Sequence, residues 1–114
     1  MKIIEMRLQD KFYEFIKSGT KRIELRLFDE KRQQIQPGDE LMFAKGNDDG
    51  ERIHVKVLGI LRYVSFEELF SDFDIDILAD KSMTKDELLE ELNQFYSLKA
   101  QKDFGVVGIR FELI

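Results

Sequence analysis

The stretch from Gly19 to Arg26 constrains the fold most tightly, because it joins a helical pattern to a strand pattern. The preceding residues 9–18 carry apolar side chains at helical spacing, and a glycine that tolerates positive φ commonly ends a helix. Residues 22–28 then alternate apolar and charged side chains, as a strand with one face in a core does. A helix is therefore predicted to lead directly into a strand that carries Glu24 and Arg26 on one face.

Other segments repeat these two patterns along the chain. Two capping-box sequences predict helices over residues 65–70 and 84–96. Residues 71–81 fit neither pattern and receive no assignment. We predict a single α+β domain over residues 1–114, built as a mainly antiparallel β-barrel with flanking helices. The remaining predicted strands cover residues 2–8, 40–45, 52–64 and 104–113.

The composition limits the classes of function that are open to the chain. It has a net charge of −5, no cysteine and a single histidine, His54. These counts exclude disulfides and thiolate chemistry and leave too few ligands for a zinc site, so we expect no metal and no cofactor. No apolar run approaches the roughly 18 residues of a membrane-spanning helix, so a cytoplasmic protein without a membrane partner is expected. The acidic balance disfavours broad duplex binding but allows a small cationic pocket.

Three ionisable side chains, Lys21, Glu24 and Arg26, form the candidate site. Strict alternation would place Lys21 on the opposite face of the strand from the other two. The three converge only if Lys21 lies in a turn before the strand begins, which Gly19 makes plausible. Together they can bind phosphate or a base edge, or polarise a carbonyl and activate water. Because Lys21 and Glu24 are expected to be partly exposed, replacing either should change stability little.

Two further residues are candidates for the same site. We expect Lys45, at the end of a predicted strand, to add positive charge to a cleft there. Phe95 and Tyr96 end the apolar stripe of a predicted helix and are predicted to be core residues; in the alternative interpretation, Tyr96 turns its ring or hydroxyl toward a base. His54 is instead predicted to be an exposed strand residue, and Asp39 a hydrogen-bond acceptor in the turn that follows Pro37.

The chain resembles the ASCH domain, a family of the PUA-like superfamily, nearly from end to end. The likeness includes a Gly-x-Lys-x-x-Glu-x-Arg signature. The matching positions are Gly19, Lys21, Glu24 and Arg26; Pro37, Gly38 and Asp39 leading into Leu41 and Phe43; Tyr63, Ser65, Phe66 and Glu68; and Phe104, Gly105, Val106, Val107, Gly108 and Ile109. The resemblance implies a five- or six-stranded β-barrel with flanking helices, a cleft beside the first helix, and a link to RNA or modified nucleosides.

A small bacterial branch of that family is an amidohydrolase that acts on N4-acetylcytidine with the signature lysine, a threonine and a further glutamate. Glu24 stands at the position of that threonine. Three functions stay open. The first is the binding of RNA, a nucleotide or a modified nucleoside by Lys21, Glu24, Arg26, Lys45 and Tyr96, and it is favoured over hydrolysis because the hydroxyl nucleophile is missing. The second is amide hydrolysis, with Lys21 stabilising the oxyanion and Glu24 as general base. The third is a protein-interaction domain, and the oligomeric state stays open in all three.

Overall fold

The computed structural model describes residues 1–48 and 50–114. Its sheet has the strand order β1-β3-β4-β5-β2 and curls into a half-barrel with β1 and β2 at the two edges. β1 and β3 run parallel and the other three neighbouring pairs run antiparallel, so the predicted mainly antiparallel arrangement is confirmed. The strands are β1 (Ile3–Leu8), β2 (Ile23–Leu27), β3 (Glu40–Lys45), β4 (Arg52–Tyr63) and β5 (Val106–Leu113).

Helices flank this sheet, and two of them begin at the predicted capping sequences. The Ser65 hydroxyl accepts a hydrogen bond from the Glu68 amide at 3.2 Å, and Thr84 and Glu87 form a complete capping box. The unassigned residues 71–81 contain the end of one helix and all of the next. The helices are α1 (Asp10–Lys17), α2 (Phe66–Asp72), α3 (Ile75–Leu78), α4 (Lys85–Phe95) and α5 (Leu98–Phe104), with a 3₁₀ turn at Arg32–Gln34.

The last strand begins two residues later than predicted. Phe104 ends α5, and Gly105 has a φ of 72°, in the left-handed region that glycine adopts without a steric penalty. This residue turns the chain from helix to strand, so the prediction of a strand from residue 104 was wrong at its start. The helix that precedes it was not predicted, because its seven residues show no clear apolar stripe.

Two apolar cores lie on opposite faces of the sheet. The interior of the half-barrel is closed by α1, which contributes Tyr13 and Ile16. The outer face is covered by α2, α3 and α4, and it buries Ile23 and Leu25 of β2. Glu24 lies between these two residues and therefore faces the interior, as does its cross-strand partner Ile109. The charged face of β2 is thus directed inward at the edge of the half-barrel.

Candidate functional site

Lys21 lies in the turn between α1 and β2, where the convergence of the three charged residues requires it to be. Its amide donates to the Phe15 carbonyl at 3.1 Å, and Gly19 has a φ of 89°. The turn therefore holds Lys21 outside the regular alternation of the strand. Glu24 and Arg26 follow on one face of β2, two positions apart.

The three charged groups meet around the Glu24 carboxylate. The Lys21 ammonium lies 3.5 Å from Glu24 Oε1, and Arg26 donates from Nε to Oε2 at 2.9 Å, with Nη2 at ion-pair distance from the same oxygen, 2.8 Å away. Lys21 also donates to the backbone carbonyls of Ile23 at 2.5 Å and Leu78 at 2.8 Å. One carboxylate against two cations leaves the cluster with one net positive charge.

Burial separates this cluster from an ordinary surface ion pair. The side chains of Lys21 and Glu24 are 2% and 6% exposed. The expectation that both are partly exposed was therefore wrong, and the small stability effect expected on that basis is replaced below by the prediction of a large one. The physical reason lies in residues 71–81, which the sequence pattern left unassigned. They form α3, whose last residue, Leu78, places its carbonyl on the Lys21 ammonium.

Burial and charge act on these groups in opposite directions. Burial lowers the pKa of Lys21, because the ammonium loses its hydration, although Glu24 opposes the shift. Burial alone would raise the pKa of Glu24, but Arg26, Lys21 and the amide of Leu25 reverse that effect and bring it below the usual value. Burial likewise opposes the charge on Arg26, yet Glu24 raises the pKa of its guanidinium. Glu24 is thus held as an anion at neutral pH.

The charged cluster lines a cleft of about 120 Å³ between α1, β2 and the end of α4. Three aromatic residues, Phe12, Phe95 and Tyr96, also line it. The ring of Phe12 already lies under the ammonium groups of Lys11 and Lys21, at 5.1 and 5.6 Å from its centroid. Phe95, in contrast, is 58% exposed to solvent. Phe95 and Tyr96 are therefore the aromatic walls that a ligand can reach.

The structure brings Tyr96 to the cleft but does not bring Lys45 there. Tyr96 is half-buried, which raises the pKa of its phenol, and its hydroxyl interacts with Arg26. Lys45 is not one of the residues that line the cleft and instead forms an ion pair with Glu14 at 2.5 Å. Phe95 was predicted to be a core residue, because it continues the apolar stripe of α4. Its exposure was not visible in that pattern.

Asp39 and His54 lie apart from the cleft. The Asp39 carboxylate accepts hydrogen bonds from the amides of Lys2 at 3.0 Å and Gln36 at 2.9 Å, so its predicted role in the turn is confirmed. These two bonds and the nearby Lys2 ammonium lower the pKa of Asp39 to about 2. The His54 imidazole contacts the Glu40 carboxylate on the neighbouring strand and is partly exposed.

Within the part of the chain that the structure describes, no cluster of three or more His, Cys, Asp or Glu side chains is arranged to hold a metal ion. Over the same residues, no helix combines the length and the apolar character that crossing a bilayer requires.

Comparison with known proteins identifies the family of the chain. A family model for the ASCH domain matches residues 2–114. The crystal structure of the hypothetical protein PH0355 is 40% identical in sequence, with a TM-score of 0.86 over 98% of this chain and 99% of that one. The solution NMR structure of protein PF0455 from Pyrococcus furiosus is 36% identical, with a TM-score of 0.78 over 98% and 97%. No match is found among curated proteins. The resemblance seen in the sequence is thereby confirmed, and the chain belongs to the ASCH domain family.

Proposed function

We propose that this protein binds RNA and that its cleft takes one base of the RNA, either standard or modified. The ASCH domain family is generally thought to bind RNA. The observation that carries the proposal is the cleft itself, where a buried cluster with one net positive charge adjoins the reachable rings of Phe95 and Tyr96. Proteins recognise unpaired bases by stacking them on aromatic rings while polar groups engage their edges or the phosphate.

Arg26 is the member of the cluster that keeps donors for a ligand. A guanidinium has five N–H groups. Glu24 accepts from Nε and also lies at ion-pair distance from Nη2, and the Arg7 carbonyl accepts from Nη2 at 3.0 Å. Even with one N–H group directed at the Tyr96 hydroxyl, at least one of the five remains for a ligand oxygen. Lys21 donates to two backbone carbonyls, and its ammonium lies 3.5 Å from Glu24 Oε1. Lys21 and Glu24 are therefore positioning residues that hold Arg26 in place.

The same geometry supports amide hydrolysis less well. A general base works best when its pKa lies near the working pH, whereas two cations and an amide lower the pKa of Glu24 below its ordinary value. The Lys21 ammonium donates to two backbone carbonyls and is paired with Glu24, so at most one N–H group is left for an oxyanion, and the side chain is only 2% exposed. Release of acetate from N4-acetylcytidine by the wild-type protein, lost in Glu24→Gln, would overturn the proposal of binding alone.

Phe95→Ala tests the proposal with little risk to the fold, because Phe95 is mostly exposed. Fluorescence anisotropy would measure its affinity for a labelled single-stranded RNA hexamer of mixed sequence. Loss of one stacked base should weaken binding by about 1–3 kcal/mol, which is roughly 5- to 150-fold. The melting temperature should stay close to that of the wild type.

Leu98→Ala is the matched control for this experiment. Leu98 is also a large, exposed apolar residue, at 72% exposure, and it lies three positions beyond Phe95 without lining the cleft. We expect this variant to bind the hexamer as the wild type does. Equal affinities for the two variants would show that the RNA binds elsewhere on the protein.

A further inference from the structure

A second groove, of about 500 Å³, opens at the end of the same strand that carries the cleft residues. Phe28, which lines it, follows Arg26 by two positions and so shares its face. Arg62, which also lines it, pairs with Val107 on β5, and Val107 pairs with Arg26 on the other side. Two strand spacings separate the Cα atoms of the two arginines by about 10 Å. The second groove is therefore the immediate neighbour of the cleft.

The second groove contains flat surfaces suited to a nucleobase. The Arg62 guanidinium lies over the Phe28 ring, with its carbon 4.3 Å from the ring centroid, and Arg62 is itself exposed. Phe104, at the end of α5, is 48% exposed and lines the same groove. Gly105 also lines the groove, and its carbonyl accepts a hydrogen bond from the Phe28 amide at 3.0 Å. A Cβ at this position would lie 3.2 Å from the Tyr63 carbonyl, so glycine lets the two backbone segments that line the groove approach closely.

The charge of the second groove also suits an anion. Arg62 and Lys102 line it and are both exposed. Asp103 is the acidic side chain in its lining, and the Lys99 ammonium neutralises that carboxylate at 2.9 Å. A locally positive groove is notable in a chain with a net charge of −5. Proteins commonly bind single-stranded nucleic acid through cationic side chains interleaved with exposed aromatic rings.

We propose that the second groove holds the nucleotide next to the one in the cleft, so that the ligand is single-stranded RNA of at least two nucleotides. This inference rests on the proposed function of the cleft and names its substrate class. The base of the second nucleotide stacks on Phe104, and the phosphate that joins the two nucleotides pairs with Arg62. A free nucleoside fills only the cleft.

Two variants separate these contacts, and both replace exposed side chains. The probes are a labelled single-stranded RNA hexamer and cytidine, which has a base for the cleft and no phosphate. Arg62→Gln should weaken hexamer binding about tenfold and reduce the slope of log affinity against log salt by roughly 0.7, the value for one phosphate contact on a single strand. Phe104→Ala should weaken hexamer binding at least about fivefold, because one stacked base is lost, and leave the salt slope unchanged. Neither variant should alter the affinity for cytidine.

Arg110→Gln is the matched control, because Arg110 is an exposed arginine of the same sheet that lines neither the cleft nor the second groove. Hexamer affinities of Arg62→Gln and Phe104→Ala equal to that of Arg110→Gln would overturn the second subsite. If Phe95→Ala still weakens binding in that case, the cleft survives alone. Loss of cytidine binding in Arg62→Gln would also count against a separate subsite. A wild-type protein that binds no RNA would overturn both proposals.

Discussion

Glu24 and Asp39 are both buried carboxylates with lowered pKa values, but the regions around them differ in kind. Asp39 satisfies two backbone amides in the turn before β3, and its cationic partner, Lys2, is half exposed to solvent. Glu24 instead holds two cations, Lys21 and Arg26, that are themselves withdrawn from solvent beside an open cleft. Asp39 thus satisfies backbone amides that the fold would otherwise leave without an acceptor.

The cleft region holds more buried charge than folding requires. Desolvating an ion pair costs about as much as its attraction returns, and well-packed apolar residues would often serve stability as well or better. The Asp39 region therefore has a sufficient structural explanation. For the Lys21–Glu24–Arg26 cluster, the proposed role in orienting Arg26 for a ligand supplies an explanation that stability alone does not.

Glu24→Gln should produce the largest effect on stability. The substitution leaves Lys21 and Arg26 buried side by side without the anion between them, and breaking one member of a buried ionic cluster typically costs about 3–5 kcal/mol. Urea unfolding at pH 7 would measure the loss as a shift in midpoint at constant slope.

Asp103→Asn is the control for that measurement. It removes one carboxylate from an exposed i, i+4 ion pair with Lys99, and such pairs contribute little. Its midpoint should match that of the wild type. If the unfolding midpoint of Glu24→Gln is as close to the wild-type value as that of Asp103→Asn, the remaining charges of the cluster must reach solvent in the variant. The buried cluster would then not differ in stability from a surface ion pair.

Asp39→Asn should have a smaller effect that depends on pH. The amide group replaces one carboxylate oxygen with a donor, which leaves a backbone amide without its acceptor and costs about 1–3 kcal/mol at pH 7. Because the pKa of Asp39 falls from 3.8 to about 2 on folding, its contribution is fully present above pH 3.8 and is lost as the pH falls through 2.

Unfolding midpoints of the wild type and of Asp39→Asn, measured from pH 6 down to pH 2, check this sign. The two curves should approach each other as the pH falls. A constant gap across that range would show that the Asp39 charge makes no contribution and that only the geometry of its hydrogen bonds matters.

The contrast between these regions also shows what the sequence can predict. The turn at Asp39, the two capped helices and the β2 alternation depend on residues that are close in the chain, so local patterns were enough. The burial of Lys21 depends on the carbonyl of Leu78, which lies 57 positions away in a segment with no clear periodicity. The convergence of Lys21 with Glu24 was foreseen as a condition on the turn. The packing that buries them is a tertiary event without a local signal.

The same reasoning explains why the positions of Phe95 and Lys45 in the structure were not predicted from the sequence. An apolar stripe indicates which side of a helix faces a core but not where that core ends, so Phe95 was assigned to the interior. A lysine at the end of a strand carries no information about which helix will pack across it. In the structure that helix is α1, and its Glu14 forms an ion pair with the Lys45 ammonium. Lys45 therefore does not line the cleft.

Lys45→Gln should therefore have the smallest effect. The Lys45–Glu14 pair is 28% and 49% exposed at its two side chains, so solvent screens its attraction and the unfolding midpoint should stay at the wild-type value. Hexamer affinity should also be unchanged, because Lys45 does not line the cleft. Anisotropy titration at low salt is the sensitive measurement, since one lost phosphate contact would lower the slope against log salt by about 0.7. A slope change of that size would mean that the RNA also contacts Lys45 beside α1. RNA binding would then involve a surface ion pair as well as the buried cluster.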